Sequence, residues 1–289
     1  MTSAPEASGN DAAVEPVHVG QLVVAVDGSD RAAVAVHVAQ QLARPLNARI
    51  TVLAVASSRQ DRSALEQHVE EMAAEVQGKP LVIDGGNVAA ALLDTVSELP
   101  EHVLCMGSHG RGRSASVLGS VTAEVTAQTS EPLVVAGPNV PAQQAVAGRL
   151  VACADGSARS ESVLPTAASW AAALGLGLSV VTVAEPIPEP MTPGAPYRRS
   201  HGPQVAAEPY IGELVDRWQG RGMDVDGDVV YDPVSVAGGL ADFLSSHPAE
   251  LVAVATRARR GVARLVLGSH AANIVRAVNA PVLLVPEPA

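Results

Sequence analysis

Aromatic residues are almost missing from this chain: Trp, Tyr and Phe together make up 2% of its 289 residues. Apolar residues still amount to 47%, which is enough to build the cores of two domains of ordinary size. Those cores must therefore consist of alanine, valine and leucine. All six aromatic residues lie in the second half of the chain: Trp170, Tyr197, Tyr210, Trp218, Tyr231 and Phe243.

Basic residues are also scarce. The net charge is −11, and Lys79 is the only lysine. An acidic surface repels polyanions, so we expect neither a nucleic acid nor an anionic membrane as a partner. The sequence also lacks a P-loop, because Gly78-Lys79-Pro80 has neither the upstream glycine nor the following serine or threonine of that motif.

Cysteine occurs only twice, and Cys105 and Cys153 both lie in apolar runs that are typical of buried strands. Two buried cysteines indicate free thiols in a reducing compartment and not a disulfide scaffold. Residues 1–16 carry no Lys or Arg and no apolar centre, so they do not resemble a secretion signal. We therefore expect a cytoplasmic protein in which residues 1–18 form a disordered lead-in.

One stretch, 165–184, has no charged residue and would pass for a membrane span by hydropathy alone. Gly175 and Gly177 interrupt it, and the matching stretch of the first half carries charged residues. We therefore predict a helix, a turn and a buried strand here. Pro165 must lie in the first turn of that helix or kink it.

The chain contains an internal repeat, which decides its organisation. Val23–Ser29 (VVAVDGS) recurs as Val151–Ser157 (VACADGS), and Val117–Ser120 (VLGS) recurs unchanged as Val266–Ser269. The repeat predicts two domains of one kind. We place them at 19–137 and 149–289, joined by a linker at 138–148, with a proline-rich insert at 185–209 that we interpret as a long loop.

Short apolar runs alternate with helical patterns within each half. Val34, Val38 and Leu42, for example, fall on one helical face at i, i+4 and i+8. Near-continuous apolar strands that alternate with helices indicate a parallel sheet covered on both faces. We therefore predict an α/β protein with two tandem, open, doubly wound, five-stranded parallel sheets. The strands predicted for the first half are 22–26, 50–55, 81–83, 103–106 and 133–135.

Ligands of an open parallel sheet bind beyond the carboxyl ends of its strands, and the loop after the first strand is a candidate. Asp27-Gly28-Ser29 offers a carboxylate that could accept a hydrogen bond from a ribose hydroxyl or a base amino group. The alternative is structural, because Asp, Gly and Ser are also preferred where a helix begins.

The loop after the fourth strand is rich in glycine. Gly107 and Gly110 let the backbone approach an anion closely, and Gly119-Ser120 opens a helix whose free N–H groups attract phosphate. Arg111 adds positive charge at this place in an acidic domain. A flexible loop with solvated arginines is the alternative. The pairing of a glycine loop after a strand with a helix start favours an anion site.

In these motifs each half resembles the universal stress protein family, whose ATP-binding members carry Gly-x2-Gly-x9-Gly-Ser after the fourth strand and an Asp after the first. The resemblance covers nearly the whole chain, once per half. It implies an adenine nucleotide alpha hydrolase-like fold and a site for ATP, with or without Mg²⁺. The nucleotide-binding residues that it implies for the first half are Ala25, Asp27, Gly28, Val55, Met106, Gly107, Gly110, Arg111, Gly119, Ser120 and Val121.

Both halves depart from the family pattern. Eight residues separate Gly110 from Gly119, where the family has nine, and the shorter loop could close the phosphate groove. The second half keeps a spacing of nine before Gly268, but alanines replace the two earlier glycines and restrict the backbone. We therefore expect the first half to bind nucleotide better. The corresponding residues of the second half are Asp155, Val183, Ala255, Ala258, Gly268 and Ser269.

Three functions compete. The resemblance implies an ATP-binding protein of the stress response, and the sequence offers no assignable general base or nucleophile for turnover. A weak ATPase and an interaction module that has lost its nucleotide are the alternatives. His109 could contact phosphate, but with no second His or Cys at metal spacing a polar loop residue is the simpler interpretation. We predict neither a catalytic residue nor a metal site.

Domains of this family usually pair through the last strand of the module, which corresponds here to 133–135 and 282–285. The resemblance therefore implies that the two halves form an internal pseudo-dimer, in which both strand edges are hidden. Association of two chains into a homodimer is left open by the sequence.

Overall fold

The structure is a computed structural model of the chain. It describes residues 13–29, 32–56, 61–108, 118–142, 148–184, 202–232, 234–256 and 269–287.

Strands and helices alternate through the first half. The elements are β1 (Gln21–Val26), α1 (Ala33–Leu46), β2 (Arg49–Ala56), α2 (Arg62–Glu75), β3 (Lys79–Asp84), α3 (Val88–Ser97), β4 (His102–Gly107), α4 (Ser120–Gln128) and β5 (Leu133–Ala136). The strand order is β3-β2-β1-β4-β5, and all neighbours are parallel. The predicted five-stranded parallel sheet is confirmed, with each strand one to three residues longer than its apolar run at one end or both.

The second half repeats this plan. Its elements are β6 (Arg149–Cys153), α5 (Ala158–Glu161), α6 (Val163–Leu174), β7 (Gly177–Ala184), α7 (Gly202–Gln219), β8 (Val225–Tyr231), α8 (Val236–Ser246), β9 (Leu251–Thr256), α9 (Ser269–Ala277) and β10 (Val282–Pro286). The strand order, β10-β9-β6-β7-β8, mirrors that of the first half.

The interpretation of 185–209 as one long loop is wrong from residue 202 onward, because α7 begins at Gly202. Proline is compatible with the first turn of a helix, which Pro203 occupies. Pro209 lies within the helix but on its solvent side. Residues 185–201 lie outside the described part of the chain. The helix is held by its apolar face, which buries Ile211, Leu214 and Trp218.

The charge-free stretch folds as predicted into a helix, a turn and a strand. Helix α6 ends at Leu174, Gly175 turns the chain with φ 68°, and β7 follows. Pro165 lies in the first turn of α6, and α5 ends at Glu161, whose carbonyl would have needed the missing amide of Pro165. Within the described ranges, no helix combines the length and the apolar character that crossing a bilayer requires.

The two half-sheets join into one. β5 and β10 pair antiparallel, with Val134 opposite Leu283, and the result is a ten-stranded sheet ordered β3-β2-β1-β4-β5-β10-β9-β6-β7-β8. Both strands are buried at this junction. The predicted internal pseudo-dimer, paired through these two strands, is confirmed.

Each face of this sheet carries one hydrophobic core that extends over both halves. Helices α1, α2, α6 and α7 cover one face, where Trp170 is the largest fully buried side chain. Helices α3, α4, α8 and α9 cover the other. We refer to these as the α1–α6 core and the α4–α9 core. Because both cores cross the junction, the two halves share their hydrophobic interior.

The chain ahead of β1 adds a further tie between the halves. The amide of Val17 donates to the carbonyl of Ser169 on α6 over 3.1 Å, and the Ser169 hydroxyl donates to the carbonyl of Glu15 over 2.6 Å. Residues 1–18 are predicted to be a disordered lead-in. Within this segment, Glu15 and Val17 make these two contacts with α6. Residues 1–12 lie outside the described part.

The linker after β5 covers the end of α9. The Asn139 side-chain amide donates to the carbonyls of Arg276 at 2.8 Å and Ala277 at 3.1 Å, so it caps the last turn of the helix. Gly137 is buried beside the same turn. A Cβ built on Gly137 would lie 2.0 Å from the carbonyl oxygen of Val275. The junction therefore requires glycine at this position.

Candidate functional site

The order of strands in the first half reverses between β1 and β4, and this is where an open parallel sheet forms its ligand crevice. Ala25 near the end of β1 lies opposite Met106 near the end of β4. Both side chains pack in the α4–α9 core together with Val55 from the end of β2. The apolar residues predicted to hold a nucleoside therefore lie on one face of the sheet, near its carboxyl edge.

Asp27 follows β1 and closes its own turn. Its Oδ1 accepts from the Ser29 amide at 3.1 Å and from the Ser29 hydroxyl at 2.6 Å. Gly28 has φ 75°, a conformation that favours glycine. The N-cap of α1 is Ala32, which makes no side-chain cap hydrogen bond. The N-cap residue is thus not Asp27, whose carboxylate is held at the strand tip by Ser29.

The chain leaves β4 and enters α4 at neighbouring points. The Ser108 amide donates to the carbonyl of Ala136 at 2.8 Å, and the Gly119 amide donates to the carbonyl of Ser108 at 2.8 Å. The Thr122 hydroxyl donates to the carbonyl of Gly107 over 2.9 Å. Gly107 and Gly119 therefore lie together. Two of these hydrogen bonds hold the first turn of α4 against the end of β4, and the third ties the end of β4 to β5.

The first turn of α4 has the character of an anion site. Gly119 is the N-cap residue, with φ −52° and ψ 145°, and as a glycine it has no side chain with which to cap the helix. The amides of Ser120 and Val121 thus belong to the set that a helix leaves without an intrahelical acceptor. The positive end of the helix dipole adds to their attraction for phosphate. Ser120 is exposed and Val121 half-buried, so the turn is accessible from solvent.

We expect Thr122→Val to loosen this turn. Valine keeps the shape of threonine but leaves the carbonyl of Gly107 without its donor at a buried position. The loss should lower the free energy of unfolding by about 1–2 kcal/mol. Urea unfolding followed by circular dichroism measures the change. Thr95→Val, which removes a hydroxyl that donates to the carbonyl of Ala91 within α3 at 2.8 Å, is the matched control, and equal losses for both would contradict a special role for Thr122.

The same turn recurs at the end of β6. Asp155 Oδ1 accepts from the Ser157 amide at 2.9 Å, and Gly156 has φ 82°. Partial burial raises the pKa of the Asp155 carboxyl, but hydrogen bonds from Ser157 and Ser160 outweigh burial and bring the pKa below its ordinary value. The carboxylate is therefore ionised at neutral pH, at the position that matches Asp27.

The register of the strands aligns the two halves residue by residue. Ala255 pairs with Val285 in β10 as Gly107 pairs with Ala136 in β5, so Ala255 is the counterpart of Gly107. Its methyl group packs against the α1–α6 core. Val183 packs in the α4–α9 core, as its counterpart in β2 does.

Helix α9 cannot form the side-chain hydrogen bond by which Thr122 joins α4 to the preceding strand. Ser269 opens α9 as Ser120 opens α4, so Ala271 stands where α4 has Thr122. Alanine has no hydroxyl to donate to the end of β9. The second half therefore repeats the Asp turn but not the hydrogen bond that fixes the helix start.

Several predicted site residues are not described. Gly110, Arg111, Ala258 and Gly268 lie outside the described ranges, as does His109, and for Ser269 only the backbone is described. Of the three glycines Gly107, Gly110 and Gly119, the structure thus describes only the first and the last, which lie together. Across the described ranges, no group of three or more His, Cys, Asp or Glu residues could hold a metal ion.

Sequence reasoning missed Ser108 and Thr122, which join β4 to α4. Ser108 is 2% exposed and Thr122 3% exposed. Thr122 and Thr126 lie four residues apart in the sequence, so they share one face of a short helix, and both are buried. This spacing is the feature of the sequence that could have identified Thr122. Nothing in the sequence marks the main-chain bonds of Ser108.

Both cysteines are free, as predicted. Burial raises the pKa of each thiol to about 12, so neither is a thiolate at neutral pH. Cys153 ends β6 and takes the place of Ala25 in the second half. It therefore adds a small apolar group to that crevice and not a nucleophile.

Comparison with known proteins agrees with this geometry. The model of the universal stress protein family matches twice, at residues 18–137 and 147–286. A universal stress protein from Archaeoglobus fulgidus DSM 4304 has a similar structure, with a TM-score of 0.62 at 14% identity over 93% of this chain and 99% of its own.

A protein from Pseudomonas aeruginosa UCBPP-PA14, designated a universal stress protein, has a TM-score of 0.61 at 12% identity over 93% of this chain and 94% of its own. At these identities the likeness concerns the fold. A comparison with curated proteins gave no match.

Proposed function

The chain belongs to the universal stress protein family, and we propose that its first half binds ATP and holds it without efficient turnover. The observation that carries this proposal is the uncapped start of α4, held beside Gly107 at the carboxyl edge of the sheet. The triphosphate would lie at this helix start. The nucleoside would contact Ala25, Val55 and Met106, with Asp27 as acceptor for a ribose hydroxyl or the base.

Main-chain groups are the main source of attraction in this proposal. The chain has a net charge of −11, so its overall field opposes an approaching triphosphate. Amide hydrogens and the helix dipole act over short range and are already oriented before the ligand arrives. Arg111, which lies outside the described ranges, is the basic side chain that we propose as their complement.

We propose binding and not turnover because the described residues at this edge include no pair of nucleophile and base. Asp27 uses Oδ1 to accept two hydrogen bonds from Ser29. That arrangement engages the carboxylate as an acceptor within its own turn. A general base must instead be within hydrogen-bond reach of the proton that it abstracts.

The proposal assigns nucleotide to the first half. Ala271 in place of Thr122 leaves the start of α9 without its hydrogen bond to the strand. An anion site depends on amides that are fixed in advance, since ordering them on binding costs free energy. We therefore propose one nucleotide per chain, with the second half contributing to the shared cores and the junction.

Equilibrium dialysis of the full chain against labelled ATP, with and without Mg²⁺, tests this proposal. We expect about one bound nucleotide per chain and competition by unlabelled ATP, while a multiple-turnover assay stays at background. The absence of binding at millimolar ATP would favour the nucleotide-free interaction module. Turnover above background that Asp27→Ala abolishes would favour an ATPase.

We extend the proposal to a role in the response to stress and to a cytoplasmic location. Family membership supports the first. Two free cysteines, Cys105 buried and Cys153 half-buried, support the second. A homodimer of chains is not needed to cover β5 and β10, because they cover each other. We therefore propose that the single chain is the functional unit.

A further inference from the structure

Strand β8 forms one end of the ten-stranded sheet, and β7 is its neighbour among the described strands. Along a strand, successive residues turn their backbone N–H and C=O groups to opposite sides. The carbonyl of Asp224 and the amide of Asp232 bond to the β7 side, so even-numbered residues face β7. The backbone groups of Gly227 and Val229 therefore point out of the sheet.

A groove of about 500 Å³ runs along this edge, between β8 and α7. We call it the β8 groove. Its β8 side consists of the successive residues 225–229, which span about 16 Å of extended chain. Gln219 closes one end, because its side-chain amide donates to the carbonyl of Val225 at 2.9 Å. The length that remains suits one added strand of about five residues.

One wall of the β8 groove is apolar. Ile211 and Val215 line it from α7. A Cβ on Gly227 would lie 2.4 Å from Ile211 and 2.8 Å from Val215. Glycine therefore lets α7 pack close to the strand, and it brings these two aliphatic side chains to the edge. Alternate side chains of an added strand would meet this wall.

The rest of the β8 groove is acidic. Glu208, Asp216, Asp226 and Asp228 line it, and none of the described residues that line it is Lys or Arg. Arg149 pairs with Asp226 through Oδ2, yet Oδ1 of Asp226 is buried with no hydrogen-bond partner. Asp216 and Asp228 are exposed. The groove therefore favours a positively charged occupant.

Other uses of this edge fit less well. Two chains paired through β8 would bring the carboxylates at 226 and 228 of one copy against those of the other, and like charges across strands are destabilising. The opposite end of the sheet, β3, begins with Lys79 and Pro80, and proline has no amide to donate. The two ends of the sheet thus differ: β3 contains a proline that cannot donate, whereas β8 presents main-chain groups beside an acidic groove.

We propose that the β8 groove binds an extended, basic segment of a partner protein, which adds to β8 as a further strand. Gly227 and Val229 supply main-chain hydrogen bonds. On the α7 side of the added strand, apolar residues meet Ile211 and Val215, next to the carboxylate of Asp216. Lys or Arg at the alternate positions meets Asp228 on the opposite side. This site is separate from the nucleotide crevice and does not depend on it.

Fluorescence anisotropy with the full chain tests the proposal. The probe is a labelled peptide of alternating valine and lysine, and its controls are the same peptide with glutamate for lysine and one with alternate N-methyl amides. We expect the lysine peptide to bind at least about tenfold more tightly than either control, because one control lacks the charge and the other the hydrogen bonds. Hydrogen exchange at Gly227 and Val229 should slow when the lysine peptide is bound.

The double variant Asp216→Lys/Asp228→Lys should weaken the lysine peptide at least about tenfold and gain affinity for the glutamate peptide. The matched control is Glu213→Lys/Asp242→Lys, which changes the net charge equally at exposed positions outside the groove. Equal effects of the two variants, or equal binding of the N-methyl peptide, would overturn the proposal. So would a dimer of chains, seen by sedimentation, that the groove variant dissociates.

Discussion

Replacing Gly119 with valine is expected to weaken ATP binding at least about tenfold, a loss of about 1.4 kcal/mol. The backbone at Gly119, with φ −52°, accepts any residue, so the effect comes from the side chain. A branched side chain at this position would stand over the first-turn amides of α4 and exclude phosphate oxygens. Valine is also a poor N-cap residue. Isothermal titration with ATP measures the loss.

The matched control is Gly268→Val, at the repeated Leu-Gly-Ser of the second half. We expect it to change ATP affinity less than about twofold, because the nucleotide is assigned to the first half. Melting without ATP shows whether either variant is misfolded. Equal losses of affinity in the two variants would refute the ranking of the sites.

Gly137→Ala is expected to have the largest effect on stability, about 2–3 kcal/mol. Its Cβ would stand 2.0 Å from the carbonyl oxygen of Val275, and backbone atoms cannot yield as a side-chain end can. Either β5 or α9 must shift, and the cap that Asn139 places on α9 would be disturbed. The midpoint of urea unfolding measures the effect.

Gly86→Ala serves as the comparison, since a Cβ there has no neighbour within 4 Å. We expect that variant to stay within about 0.5 kcal/mol of the wild type. If Gly137→Ala is equally mild, the close packing of the linker against α9 does not hold in solution.

The fold follows from the sequence to a large extent because its signals are local and repeated. The apolar runs and the VVAVDGS repeat locate the sheet strands of both halves. The strand ends are less well marked: β3 begins at Lys79 and continues through Pro80, residues that disfavour a strand. They are accommodated because β3 lies at the edge of the sheet.

Helix α7 shows how local signals mislead. Gly202 and Pro203 resemble a loop, and Pro209 strengthens that impression. The helix is nevertheless observed from Gly202, because the apolar positions that follow are buried against the sheet. Burial of Trp218 and Leu214 outweighs the poor propensity of its first turns.

The residues of the candidate site could be predicted from the sequence, but the hydrogen bonds that join them could not. Asp27 and Gly119 stand out in the sequence by their motifs. The bond from Thr122 to Gly107 joins residues of two elements, and only the fold shows that it exists. Likewise, the sequence leaves undecided which groups the Asp27 carboxylate accepts from, and only the structure shows its two hydrogen bonds from Ser29.

The antiparallel pairing of β5 and β10 has a consequence for signalling. All strands within a half run the same way, so the carboxyl ends of the two half-sheets open on opposite rims of the molecule. A partner that approaches one rim meets the crevice to which we assign ATP, and a partner at the other rim meets its altered copy. If that assignment holds, only one rim of the molecule can report whether nucleotide is bound.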